Sequence, residues 1–598
     1  MYAQAAIKSN TLLRNGAYGI VMRGVQKFTC AGASLRGRNT APLCCIKLDT
    51  ATDPCMGSGH ILVYAFEVFM KLYISAGYNK KDIPELILKN NLYGIDIDDR
   101  DGQFAIISVM LKAREYDSEI FNKIDFNSLN ILSIHESNPE LRQYANDIKD
   151  KEVHEIVDYL INTFENGKEI GSLLIVEEKD YDKVTKYFEE ATPNIFNRLL
   201  WEGLKDIIRV AKILSKKYDV VVTNPPYLPT SKMSAKCKEY IEKNYPASKS
   251  DLCTAFMENK LVAGDRCLGM INMHSWMFLS SYEDLRKKII DNCFITTMIH
   301  LGTRAFEEMG GEVIQTTSFV LKNTIDCTNK VGIYYRLVNF DDAVKKEKEF
   351  LNRNNSNYFK FNQVICKELP GYIIAYYATD NIIKCFNNEK IDKQGEIRQG
   401  LITGDNDRFL KLWYEVNQRH ISFKGYSDIS KWFPINKGGG SEKWYSNREY
   451  VVNWENNGYE IKNFKDEKGK LRSRPQNLEY NFKEGISWSL ISTSQLAVRY
   501  YGKEFMFNVA GITLFVDGDY KYIMGFLNTK VANLLAKLIN PTINMNVGDI
   551  ANLPLIKISD DKNNDSKVIN NVEKDLDLDK QDWDSFETSW DFKKHPLV

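Results

Sequence analysis

Tyr218-Asp219-Val220-Val221-Val222-Thr223-Asn224-Pro225-Pro226-Tyr227 is the stretch that decides the reading of this chain. Three consecutive valines read as a buried parallel strand, and the Pro-Pro corner ends it in a fixed turn. Two prolines lock φ twice and remove two backbone donors. The carbonyls on either side are left to accept hydrogen bonds from something else. Asn224 and Tyr227 flank the corner and make a compact site. The Asn224 side-chain oxygen and the Pro225 carbonyl can both accept from one exocyclic amino group, while the Tyr227 ring can lie over a flat base. A strand followed by a proline turn would account for Pro225-Pro226 alone. It would not account for the Asn, the Tyr and the valine strand together.

At 598 residues the chain has room for roughly three or four domains. Lys plus Arg equals Asp plus Glu at 79 each, so no basic field covers the whole molecule and any nucleic-acid contact must come from local patches. No apolar run approaches membrane-spanning length. The 11 cysteines are scattered without C-x-x-C pairs. That argues against a zinc site and a disulfide framework and fits a reducing cytoplasm. The seven histidines are dispersed too, so no metal is expected.

Upstream, Asp53-Pro54-Cys55-Met56-Gly57-Ser58-Gly59-His60 is a glycine turn opening a helix. Glycines let the chain turn tightly and approach a ligand closely. Ile61, Leu62, Ala65, Phe66, Phe69, Met70 and Tyr73 fall on one face of that helix. Such a corner suits nucleotide binding in an open α/β sheet, although Gly-x-Gly alone also suits any turn into a helix. Leu92 to Asp98 reads as the next strand, with an acid placed to accept from ribose hydroxyls. A helix over 101–115, with Phe104, Ala105, Ile106, Val109, Met110 and Leu111, is expected to pack on the sheet. Leu48-Asp49-Thr50-Ala51-Thr52 is an unusually polar lead into the first loop.

These motifs resemble those of amino-group methyltransferases that use S-adenosylmethionine, most of which act on N6 of adenine in DNA. The resemblance implies a Rossmann-like methyltransferase core, an α/β fold, with Asp53, Gly57 and Gly59 at the methionine end of the cofactor and Asp96 at its ribose. It assigns the catalytic loop to Asn224, Pro225, Pro226 and Tyr227. The upstream aromatic-Thr-Pro motif usual in this class is not found. Residues 1–48 carry seven Lys/Arg and no Asp or Glu. They read as an atypical basic segment, either a targeting peptide or, preferably, not the native beginning of the domain.

The methyltransferase domain is expected over 49–340, with a charged, helix-rich insertion at 116–216 read as a solvated excursion. Leu129–Ile134 reads as the third strand, Gly269–Met273 as the fifth, and Phe294–Leu301 with Thr316–Leu321 as a closing antiparallel pair. Lys232 and Lys236 begin a basic run suited to DNA phosphates, diluted by Glu239 and Glu242.

Residues 341–556 have another texture, rich in aromatics, Gly and Asn, and read as a mixed α/β target-recognition region. Arg398, Lys437, Arg472 and Arg474 are its candidate DNA contacts. Residues 557–598 read as a charged linker and a Trp-rich tail that docks on a part outside this chain. Arg398–Phe409, Lys437-Gly438-Gly439, Trp444-Tyr445, Leu527-Asn528, Asn540-Pro541-Thr542 and Asp582–Trp590 look like the PglX family, the adenine-specific DNA methyltransferases of BREX phage defence. That resemblance runs from about residue 53 to the end and makes the chain look like a central fragment. It implies double-stranded DNA and other phage-defence proteins as partners, with no membrane. Two other readings compete with this one. The chain could be a methylation-deficient DNA-binding or scaffold subunit of such a system, or an enzyme methylating a glutamine side chain in protein. The large aromatic C-terminal half speaks against the glutamine enzyme.

Overall fold

The computed structural model describes residues 50–190, 195–258, 261–305, 314–352, 356–492, 495–556 and 562–595; the basic segment 1–48 lies outside them. Two compact units meet in the chain between Cys366 and Lys367.

The first unit is built on a nine-stranded sheet. Its strands are β1 Ala51–Asp53, β2 Leu92–Asp96, β3 Ile131–Ser133, β4 Tyr218–Thr223, β5 Val262–Met273, β6 Cys293–Gly302, β7 Thr316–Asn323, β8 Gly332–Arg336 and β9 Tyr358–Phe361. They lie in the order β3-β2-β1-β4-β5-β7-β6-β8-β9. The first five in that order run parallel to one another. β7 is antiparallel to both β5 and β6 and is inserted between them. The chain steps one way from β1 to β2 and the other way from β1 to β4. In open α/β sheets ligands bind at such a switch point, outside the carboxyl ends of the strands.

Helix α1 (His60–Ser75) follows the glycine turn and buries Ile61, Leu62, Ala65, Phe66, Phe69, Met70 and Tyr73, the face expected from its periodicity. Each of the buried Ile, Leu, Phe and Met side chains contributes about 1.5–3 kcal/mol. Helix α2 (Asp99–Arg114) starts at Asp98, whose carboxylate accepts from the Arg100 amide. It packs through Ala105, Val109, Met110 and Ala113, whereas Phe104 and Leu111, expected in the core, are 59% and 52% exposed. The buried stripe is rotated toward its small residues because α2 lies close to the glycine turn. A Cβ on Gly59 would stand 2.9 Å from Ala105.

The polar lead into the first loop does form a strand. β1 is short and buried between β2 and β4. The Thr50 amide donates to Asp219 Oδ2 at 2.8 Å, so the polarity that looked misplaced has a partner on the neighbouring strand. Residues 116–216 carry β3 and the helices α3 (Lys151–Thr163) and α4 (Ile195–Ser215). The unit runs past the residue 340 boundary read from the sequence, because β9 pairs with β8 and extends the same sheet.

The second unit holds two four-stranded sheets. One is ordered β10 (Gly395–Arg398), β17 (Gly511–Val516), β14 (Gly485–Ser489), β15 (Val498–Tyr501). The other is ordered β11 (Leu410–Leu412), β13 (Tyr450–Asn453), β12 (Trp432–Asn436), β16 (Met506–Phe507). The segment read as a linker is instead a 22-residue helix, α7 (Lys562–Trp583), laid on α6 (Lys521–Leu527). Val572 is buried there, and a Cβ on Gly525 would stand 2.9 Å from it. The tail docks within this unit rather than on an outside part. The Trp590 ring packs 5.0 Å from Phe423 and 5.8 Å from Phe505, and Trp413 Nε1 donates to the Thr588 carbonyl at 2.8 Å.

Candidate active site

Parallel pairing sets Ala51 beside Val220 and Thr52 beside Val221. The loop after β1 therefore leaves the sheet next to the Asn-Pro-Pro-Tyr loop after β4. Asp53 is fully buried at the end of β1, and its Oδ1 accepts from the Cys55 amide at 3.0 Å. Oδ2 is buried with no hydrogen-bond partner among the described residues. Burial pushes the Asp53 carboxyl up to about 7. The Cys55 amide and the neighbouring Thr223 hydroxyl pull the other way, and the Asp96 charge adds to the rise. The Cys55 thiol is likewise pushed up by burial and by Asp53.

The glycine turn is closed by Gly59, whose amide donates to the Met56 carbonyl at 2.9 Å. Gly57 and Gly59 sit at φ 48° and 84°, where glycine is favoured. Asp96 stands at the end of β2. Its Oδ2 accepts from the Gly57 amide at 2.9 Å and its Oδ1 from the Asp98 amide at 3.0 Å. A carboxylate has about four acceptor positions, so two remain for a ligand. A buried carboxylate with one oxygen unsatisfied, a turn opened by two glycines and a half-used acid on the next strand fit S-adenosylmethionine at this edge. His60 has its Nδ1 3.0 Å from the Ser58 hydroxyl.

Across the switch point, Asn224 and Tyr227 are half-buried, Pro225 buried and Pro226 exposed. The Tyr227 hydroxyl donates to Asn224 Oδ1 at 3.2 Å. The loop is pinned just beyond the tyrosine, where Asp251 Oδ1 accepts from the Leu228 amide at 3.1 Å and from the Cys253 amide at 3.0 Å. Asp251 also caps the short helix Leu252–Ala255. Its hold on Leu228 depends on a long-range contact that no local pattern shows.

A second feature escaped the sequence reading. Residues 166–176, inside the insertion taken as solvated, lie along the carboxyl ends of β1, β2 and β3. The Ser172 hydroxyl donates to the Pro54 carbonyl, and Lys168 pairs with Asp99 at 2.9 Å.

The candidate DNA contacts fall in both units. Lys232 is exposed on the turn after the Asn-Pro-Pro-Tyr loop. Lys236 lies on α5 (Ala235–Asn244) and donates to Asn166 Oδ1 at 2.7 Å. In the second unit Arg398 is ion-paired with Glu396 and lies over the Tyr480 ring. Arg474 exchanges backbone hydrogen bonds with Ile402 and the Arg472 backbone lies against Gly404, so both run along the Gly400–Gly404 turn. Lys437 stands 3.9 Å over the Tyr450 ring and opens a turn of three glycines at φ 70°, 92° and 69°. The fully buried Arg499 donates to the Gly439 carbonyl at 2.7 Å and fixes that turn.

Residues 90–306 match the family model described as Eco57I restriction-modification methylase. The chain has the Rossmann-like core of S-adenosylmethionine-dependent methyltransferases, followed by a mixed α/β region.

Over 575 residues it is 36% identical to the adenine-specific methyltransferase PglX of Lacticaseibacillus casei (strain Zhang), covering 92% of this chain and 47% of that protein. Over 588 residues it is 36% identical to the adenine-specific methyltransferase BrxX of Escherichia coli O9:H4 (strain HS), covering 91% and 46%. The chain thus spans about half the length of the curated relatives it matches. Among solved structures it resembles the Type IIL restriction-modification enzyme MmeI in complex with DNA, with TM-score 0.53 and 13% identity over 98% of this chain and 71% of that one. It also resembles the DrdV–DNA complex, with TM-score 0.50 and 9% identity over 94% and 57%. At such identities the two structures speak to fold alone. Among the described residues no helix is long and apolar enough to cross a membrane, and no His/Cys/Asp/Glu group has metal-site geometry.

Proposed function

We propose that the chain catalyses transfer of a methyl group from S-adenosylmethionine to N6 of a flipped-out adenine in DNA, as part of a BREX-type phage-defence system. The observation that carries this is the parallel pairing of β1 with β4, which brings the glycine turn and the Asn-Pro-Pro-Tyr loop to one edge. The cofactor supplies an already activated methyl on a sulfonium. The chain supplies position. Asp96 would hold the ribose, and the Gly57–Gly59 turn would leave room for the methionine end beside Asp53. Asn224 Oδ1 and the Pro225 carbonyl would accept from the adenine amino group and aim its nitrogen, with Tyr227 stacked on the base. A duplex adenine reaches such a pocket only by leaving the stack, at a cost of a few kcal/mol. Lys232 would meet a nearby phosphate, and Arg398, Lys437, Arg472 and Arg474 would contact DNA from the second unit.

Transfer of labelled methyl to unmethylated bacterial DNA tests this reading, with Asn224→Ala alongside. Label on adenine N6 that vanishes in the variant, with cofactor affinity retained, is the expected result. DNA and cofactor binding without label would overturn the enzymatic reading in favour of a scaffold subunit. Label on a protein glutamine instead would move the acceptor from DNA to protein.

A further inference from the structure

Residues 166–176 lie in the insertion read from the sequence as a solvated excursion, yet they touch the loops after β1, β2 and β3. A Cβ on Gly167 would stand 2.6 Å from the His135 carbonyl, just past β3. Lys168 pairs with Asp99 beyond β2. Gly171 takes φ 68° directly against Ile97, where a Cβ would stand 3.1 Å from Ile97 Cγ2. Ser172 is buried, donates to the Pro54 carbonyl after β1 and lies 4.0 Å from the Cys55 thiol.

The same segment is tied on its other side to α5, which follows the Asn-Pro-Pro-Tyr loop. The Ile175 amide donates to the Tyr240 hydroxyl at 2.9 Å, and the Tyr245 hydroxyl donates to the Leu173 carbonyl at 2.8 Å. The Ser234 hydroxyl, which caps α5, donates to Glu169 Oε2 at 2.7 Å. Leu173 is 1% and Tyr245 3% exposed, so this is a packed junction.

We propose that residues 166–176 form a strap across the cofactor edge, and that Tyr240 and Tyr245, on the DNA side, are positioning residues for the cofactor loop. The inference rests on the methyltransferase reading for the identity of the ligand, but the strap itself is a matter of contacts. A helix that moves to admit a flipped base would pull on the strap, and the strap would pull on Pro54 and Cys55. By linkage, cofactor and DNA would each alter the affinity of the other.

The test uses the whole chain carrying Tyr240→Phe and Tyr245→Phe together. Two readouts are taken: S-adenosylhomocysteine affinity by calorimetry, and hydrogen exchange at the Met56–Gly59 amides without ligand. Two lost hydrogen bonds should weaken affinity about threefold to tenfold and speed exchange in that turn. Tyr181→Phe is the control. Its hydroxyl donates to the Glu177 carbonyl at 2.6 Å, outside the strap, and its loss should leave the turn unchanged. Unchanged exchange in the double variant, or an equal change in the control, overturns the strap. If the unmutated chain binds no S-adenosylhomocysteine, the methyltransferase reading fails, while the exchange comparison still decides the strap.

Discussion

The Gly57 amide donates to the Asp96 carboxylate at 2.9 Å, so the acid at the end of β2 also latches the glycine turn after β1. Removing Asp96 would cost the ligand a partner and the turn its anchor. Asp96→Ala should weaken S-adenosylmethionine binding roughly 10- to 100-fold, the range for a charged hydrogen bond. Asp96→Asn keeps one acceptor oxygen and should fall between. Calorimetry distinguishes the three proteins, and equal affinities would remove Asp96 from the site.

The two glycines of the turn should respond differently. Gly57→Ala meets nothing within 4 Å and suffers only its φ of 48°, a cost of about 1–2 kcal/mol. Gly59→Ala adds a collision with the Ala105 backbone at 2.9 Å. Overpacking of that kind adds about 1–3 kcal/mol. Thermal melts should rank Gly59→Ala clearly below Gly57→Ala, and the reverse order would mean α2 lies elsewhere.

Asp53 makes stability depend on pH. Its folded value of about 7 lies above the ordinary 3.8, so the folded state binds the extra proton between those values. Stability from this group is complete below about pH 4 and is lost as pH rises through 7, at about 1.4 kcal/mol per pKa unit. Unliganded protein should therefore lose stability relative to Asp53→Asn between pH 5 and pH 8. Parallel pH profiles for the two proteins would refute a buried, proton-binding Asp53.

Asp251 is predicted to act through Leu228. Asp251→Ala releases the backbone immediately after Tyr227 and uncaps the short helix Leu252–Ala255. Turnover should fall roughly tenfold to a hundredfold through loss of alignment, while cofactor affinity changes little. A loss confined to cofactor affinity would contradict that role.

The legible parts of the sequence were those where one local rule sufficed. The valine run gave β4, and helical spacing gave the seven buried residues of α1. Periodicity placed Ala105, Val109 and Met110 of α2 in the core but misjudged Phe104 and Leu111, because the close approach of Gly59 to Ala105 turns the small-residue side inward. The strap was missed because its signal is contact with Pro54 and Asp99, far off in the chain. The helix α7 was missed because Asp, Lys and Asn dominate it. Val568 and Val572, one turn apart, were the available sign of the side that packs near Gly525.

The insertion of β7 between β5 and β6 has a consequence for how the chain acquires its shape. β6 emerges from the ribosome before the strand that joins it to β5, so it must wait beside an open slot. Until Thr316–Asn323 arrive, β5 lacks its second neighbour and β6, whose other partner β8 follows later still, has none. Folding of this unit is therefore gated late, by a strand whose two neighbours are already made. Synthesis stalled before residue 323 would leave those edges open to pair with other chains.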